Sequence, residues 1–331
     1  MRLLCSTFTL GVCLLAASLC SAQDETVYMS ILSSRKHRIN ASDNPVVGLY
    51  VSSDRGVTWQ HRGWREYIRV FYTEAGPDGI LWSACGNGVL RSADGGLTWK
   101  IATGWEITEV LKVRVSPANP ATVFGATAYG IIRSTDSGKS WSAMTRGFRR
   151  TFTSDVWVDR ARPAHVLAAA EEGVYDSEDN GTTWNLGTLR GKIVNVIVQH
   201  PANVRQFLAG TEDNGLFQSN DGGKTWRKSG LSQMTIYALA FDPSKPNNLF
   251  AGTYAAGVYR SVDGGTTWDQ KSEGLQILDV HSLIVLAGKP SVVLAGTLNG
   301  GLYRSTDGGE HWAFNSQEES QIWGLSGVRV K

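Results

Sequence analysis

The chain has 331 residues, 42% hydrophobic and 19% charged, a balance that excludes an intrinsically disordered protein. A formal net charge of +2 leaves no electrostatic footprint for a polyanion, so nucleic acid is excluded as an expected partner. The 37 glycines, 12 tryptophans and 9 prolines describe glycine-marked turns between aromatic-bearing segments, as in an all-β protein.

The first element in chain order reads as a secretory signal over residues 1–22, leaving residues 23–331 as the mature domain. Arg2 supplies a positive start, residues 10–19 an apolar core, and Ser21 and Ala22 the small residues that favour cleavage before Gln23. The apolar run is shorter than the ~20 residues of a membrane span, and no later segment approaches that length. The expected location is therefore extracytoplasmic: periplasm, lumen or medium. Cys5, Cys13 and Cys20 all lie in this leader, and Ala17-Ser18-Leu19-Cys20 matches a lipid-attachment signal poorly. Cys85 remains, so no disulfide forms within the mature chain. Its place in the strand-like run Ile80–Cys85 makes it a small buried hydrophobe rather than a reactive thiol.

A strand over Thr26–Leu32 follows, with no partner before it, and then a long loop from Ser34 to Asn40. From there the chain repeats. The pattern Gly-x-x-x-Ser-x-Asp-x-Gly-x-x-Trp, here termed the box, occurs seven times, centred on Asp54, Asp94, Asp136, Asp179, Asp221, Asp263 and Asp307. The spacing of 40–44 residues is the length of one four-stranded propeller blade. In the sixth unit, first, second and third strands are expected over Ile236–Phe241, Asn248–Gly252 and Gly257–Ser261, and Thr266-Thr267-Trp268 opens a fourth. The C-terminal segment Gln321–Val328 aligns with first strands elsewhere, so it is expected to complete the N-terminal blade. The fold class is thus all-β: a seven-bladed propeller of four-stranded blades, closed by a C-terminal strand that removes the exposed edges of an open array.

The box residues read as structural. The Asp accepts backbone N–H groups of the turn it begins, and the recurrent Gly suits a positive φ. The Trp buries its ring while its N–H seeks an acceptor. Seven peripheral copies do not serve one central site, so the carboxylates are neither catalytic nor metal ligands. The boxes resemble the BNR, or Asp-box, repeats of sialidases, sortilin-type receptors, xyloglucan-degrading endoglucanases and photosystem II stability/assembly factors. Over its mature length the chain most resembles the last group. That resemblance implies a propeller with its ligand on the face opposite the boxes, but it does not decide activity.

The opposite face receives the connections between blades and the loops between second and third strands. Arg65, Trp105, Arg146, Arg149, Arg150, Arg190 and Tyr254 are the binding candidates there, because arginines hold carboxylate or phosphate bidentately and aromatics stack on sugars or peptides. Trp64 and Phe148 alternate with these charges. A glycoside hydrolase needs two carboxyl groups flanking the bond, and Glu106, Glu171, Glu212 and Asp213, with Glu172 and Asp279, are the candidates. The Arg-Ile-Pro signature of sialidases is absent, His37-Arg38-Ile39-Asn40 being the nearest approach. The xyloglucan enzymes generally use two tandem propellers, and one is encoded here. The six histidines show no metal-ligand spacing, and His281 reads as a surface turn residue. Asn40-Ala41-Ser42 and Asn180-Gly181-Thr182 fit glycosylation sequons. The expectation is a monomeric, non-enzymatic binding or assembly propeller with no cofactor and no metal, whose partner is a protein segment or glycan.

Overall fold

Each box closes a hairpin, and seven such hairpins build seven sheets. The computed structural model of the protein describes residues 25–38, 44–63, 68–288 and 290–329, and in it every sheet has four antiparallel strands. The expected leader, the loop residues Ile39 and Asn40, and Trp64, Arg65 and Glu66 lie outside the described residues. Among the described residues no helix is long and apolar enough to cross a membrane.

Blade 1 is the closure. Its innermost strand is C-terminal, Ser320–Arg329, and pairs antiparallel with Glu25–Ser34, Met29 lying opposite Leu325. In blades 2 to 7 the innermost strands are Val70–Ala75, Val110–Val115, Thr153–Val158, Val194–Gln199, Ile236–Asp242 and Val280–Leu286. Each meets the next, and the strand of blade 1 meets those of blades 7 and 2, so the ring is closed. The core lies between blades: Phe124 and Ile131 of blade 3, for example, share one buried cluster with Val156, Val166 and Tyr175 of blade 4.

The sixth unit follows its expected plan, with one correction. Its fourth strand does not begin at Thr266; it covers only Asp269–Gln270. The cause is local: the Thr267 N–H and hydroxyl both donate to Asp263, at 2.9 and 2.6 Å, so the box holds these residues in its turn and keeps them out of the ladder.

The same bonding recurs in all seven boxes. The box serine, Ser219 for example, donates to its aspartate at 2.8 Å and accepts the glycine N–H, from Gly223, at 2.8 Å. The other carboxylate oxygen takes the hydroxyl four residues on, Thr225 at 2.6 Å. In the seventh box His311 fills that position, its Nδ1 donating to Asp307 at 2.7 Å. Gly223 has φ +90°, and a Cβ there would lie 2.7 Å from Leu167 of the preceding blade. The tryptophans reach the same neighbour. Trp99, Trp141, Trp268 and Trp312 donate to the carbonyls of Arg62, Ala102, Ser229 and Lys271, and Trp59 donates to Asn315 across the closure. The box is therefore a turn and also a blade-to-blade staple.

Candidate functional site at the channel mouth

All innermost strands run the same way, from an inter-blade connection towards the face that carries the boxes. Their first residues therefore stand at the opposite, non-box mouth of the central channel. In blades 2 to 7 the pairing of this strand slips by one residue at its second position, as between Val70 and Tyr72 or between Ile236 and Ala238. The same slip lies between Val110 and Lys112, Thr153 and Asp155, Val194 and Val196, and Val280 and Ser282, and Trp323 of blade 1 is skipped likewise. A β-bulge leaves one residue unpaired and re-aims its side chain. Seven bulges make a ring: Phe71, Leu111, Ser154, Asn195, Tyr237, His281 and Trp323, which together line a mouth cavity of about 230 Å³.

Four consecutive blades put aromatic rings in this circle. Tyr237 stacks on His281 with centroids 4.2 Å apart, His281 meets Trp323 at 5.1 Å, and Trp323 meets Phe71 edge-on at 5.5 Å. Tyr254, exposed on the rim, adds an edge contact to Tyr237 at 6.4 Å. Burial pushes the His281 imidazole down to about 4, with Asp279 opposing, so the ring is neutral at physiological pH. His281 is thus a channel residue on a strand, not the surface turn residue the sequence suggested: first strands begin at the mouth, and the bulge turns it inward. On the other side of the circle Ser154 donates to the Val194 carbonyl at 2.6 Å and Asn195 to the Ile236 carbonyl at 3.2 Å.

Below the mouth the channel widens into a second cavity of about 510 Å³, with Tyr72, Lys112, Val196, Tyr237, His281 and Trp323 lining both. Arg114 latches three blades here. It donates to Glu74 at 2.9 Å, to the Tyr72 hydroxyl at 3.0 Å and to the Val156 carbonyl at 3.2 Å, lies 3.8 Å from Asp155, and covers the Trp157 ring. The channel carboxylates are occupied by protein donors. Glu74 also accepts the Val115 N–H, and Asp155 accepts those of Val156 and Ile197. Lys112 differs. Its ammonium sits 3.7 Å from the centre of the Tyr72 ring, and among the described residues it has neither an ion-pair partner nor a hydrogen-bond acceptor. Burial holds it down at about 8, Asp155 and Glu74 resisting and Arg114 assisting. Trp323 Nε1 is a buried donor without an acceptor among the described residues.

The sequence-derived candidates fall into separate places. Glu212, Asp213, Tyr254 and Asp279 come together around Tyr237: burial chiefly raises that phenol, and the three carboxylates and Tyr254 raise it further. Asp213 is engaged by Thr235, whose hydroxyl donates to it at 2.8 Å. Glu171 faces Arg150 at 3.7 Å, Tyr175 donates to Glu172, and Glu106 and the 91%-exposed Trp105 stand apart between blades 2 and 3. The arginines do not converge on the mouth. Arg146, Arg149, Arg150 and Arg190 are exposed, and Arg190 turns back onto the carbonyls of Gly187 and Leu186. Phe148 packs on Tyr175 and Trp184, a structural role. Cys85 is buried, and burial lifts its thiol to about 11, as a small hydrophobe requires. The box aspartates are spent in their turns.

Sequence spacing gave no hint that His165, Asp176 and Glu178 meet at the box end of blade 4, with ligand atoms within 4.8 Å. Here the Arg162 guanidinium already supplies the positive charge. It pairs with Asp159 and Glu178 and reaches His165 Nδ1 at 2.9 Å, while His165 Nε2 donates to Asp176 at 2.6 Å. The group is a brace between strand ends. The bulge ring itself was also missed, although aligning the second residues of the first strands of blades 2 to 7 would have collected six of its seven members.

No protein-family model matches the chain, and no curated protein does. Solved structures resemble it in fold. A GH74 xyloglucanase from Xanthomonas campestris aligns with TM-score 0.69 at 17% identity, over 89% of this chain and 53% of that enzyme. YCF48 bound to D1 peptide aligns with TM-score 0.59 at 16% identity, over 82% of this chain and 93% of that one. The extracellular domain of the putative one-component system BT4673 from B. thetaiotaomicron aligns with TM-score 0.64 at 15% identity, over 85% and 38%. The chain spans about half the length of the xyloglucanase, and at these identities the likeness establishes a seven-bladed propeller and nothing finer.

Proposed function

We propose that the chain is an exported binding or assembly propeller without catalytic activity, built on the Asp-box repeat, which takes a protein segment on its non-box face with the channel mouth as the focus. The observation that carries this reading is the aromatic crescent Tyr237–His281–Trp323–Phe71 at the opening of a cavity. Concave, mostly apolar openings with a few polar groups are ligand sites. Exposed Trp105, Tyr129, Phe152 and Tyr254 continue an apolar character across the connections of the same face. A protein segment suits the mouth better than a glycan, because Ser154 and Asn195 spend donors on backbone carbonyls that sugar hydroxyls would need. YCF48, one structural neighbour, is a peptide-bound propeller of nearly this length, which supports the same reading.

The alternative is a glycoside hydrolase using Glu106, Glu171, Glu212 or Asp213. The acidic rim around Tyr237 and the GH74 neighbours favour it. Against it, Glu74 and Asp155 inside the channel are held by Arg114 and backbone N–H groups, an arrangement for structure rather than proton transfer. The deciding experiment sets the full chain against a peptide library, a glycan array and a fluorogenic glycoside panel. Peptide capture without turnover is the expected result, and glycoside turnover at ordinary enzymatic rates overturns the proposal.

A further inference from the structure

We infer that the channel mouth is a receptor for a carboxylate carried on an apolar or aromatic body about one amino-acid residue in size, with Lys112 as its anion anchor; the inference rests on the binding reading above. Among the described residues, the two cations of the channel differ. Arg114 is matched by Glu74 and Asp155, whereas Lys112 has only the face of Tyr72 and stands in the wall shared by the mouth and the deeper cavity. Asp155 and Glu74 act on this partly buried ammonium only from beyond ion-pair distance, and an anionic group brought into contact with it adds a charge-assisted hydrogen bond.

Trp323 lines the same opening with its ring, while its Nε1, which has no acceptor among the described residues, is buried away from the cavity. The Lys112 ammonium, without a hydrogen-bond acceptor among the described residues, asks for acceptor oxygens. The rest of the opening, Phe71, Leu111, Phe152 and Val196, asks for an apolar body. About 230 Å³ admits one side chain with its terminal carboxylate. A polyhydroxylated sugar acid meets the anchor but finds few partners for its hydroxyls. Two sources carry the favoured chemistry: a small free acid, or the last residue of a protein segment entering the mouth end-on.

The test uses the full chain and hexapeptides randomised at their last two positions, prepared as free acids and as C-terminal amides, with 3-phenylpropionate and glucuronate as small probes. The expected result is that acids ending in an apolar or aromatic residue bind at least ~10-fold more tightly than their amides. Lys112→Met is expected to abolish that difference while Lys112→Arg retains most of it. Binding of 3-phenylpropionate in competition with the peptides identifies a free acid as a sufficient ligand; binding of peptide acids alone identifies a chain terminus. Peptides captured equally as acid and amide overturn the anchor and leave the binding reading standing. Glucuronate bound in preference to both apolar acids overturns the anchor's ligand class. Absence of binding by every peptide and glycan overturns both readings. The acid–amide comparison needs no variant, so a substitution that fails to fold does not remove the test.

Discussion

At the residue scale the box works through three atoms of one serine–aspartate pair and the conformation of one glycine. Gly223 combines φ +90° with close approach to Leu167, so Gly223→Ala meets the left-handed penalty together with a crowded Cβ. The expected loss is ~1–3 kcal/mol in unfolding free energy, measured by urea denaturation. The carboxylates predict a pH response. In Asp94, Asp136, Asp179 and Asp263 the hydroxyl hydrogen bonds of Thr98, Ser140, Thr183 and Thr267 come first, with backbone N–H groups next, and they hold the carboxyls at about 2 rather than 3.8. A carboxyl depressed in the folded state contributes stability above its unfolded pKa and loses it as pH falls through the folded one. The melting temperature is therefore expected to be insensitive to these groups above ~pH 5 and to drop progressively towards pH 2, most steeply at low salt. A flat profile through that interval would mean that the box bonds do not persist in solution.

At the scale of single elements, the strand Ser320–Arg329 has the largest consequence, because it joins the two ends of the chain. Its removal leaves Met29 and Ile31 of the neighbouring strand uncovered and takes away the contacts that blade 1's innermost strand makes with those of blades 7 and 2. Deleting residues 320–331 is expected to lower the melting temperature by ~10 °C or more and to broaden the transition, followed by far-ultraviolet circular dichroism. An unchanged, sharp transition would show that blade 1 is dispensable for closure. This strand was legible in advance, since Gln321–Val328 matches other first strands and has no box of its own. The short fourth strands were not. Only the bonds to Asp263 explain why Thr266 and Thr267 stay out of the ladder, and strand propensity does not report such local competition.

At the scale of the whole molecule, Arg114 links blades 2, 3 and 4 through Glu74, Tyr72, Asp155 and the Val156 carbonyl. Arg114→Leu strands two partly or wholly buried carboxylates, and the expected cost is ~3–5 kcal/mol by equilibrium denaturation. A loss below ~1 kcal/mol would show that solvent in the channel takes over the role of the guanidinium. The two halves of the same channel differ in character. Its lower half holds the ionic latch of Arg114, whereas its mouth keeps an aromatic crescent and an ammonium that has no ion-pair partner among the described residues.

The sequence by itself determined the architecture, because the box recurs at blade length and every copy carries the serine, aspartate and glycine that its turn requires. It also marked the rim carboxylates and Tyr254 as neighbours on one face. Only the tertiary structure decided the site. Phe71, Tyr237, His281 and Trp323 lie far apart in the chain and resemble ordinary strand residues; they become a ring because each occupies the bulge of an innermost strand and closure sets those bulges side by side. The unpaired state of Lys112 was equally hidden, since Arg114, two residues on, is paired, and only the packed channel shows which of the two cations its carboxylates reach.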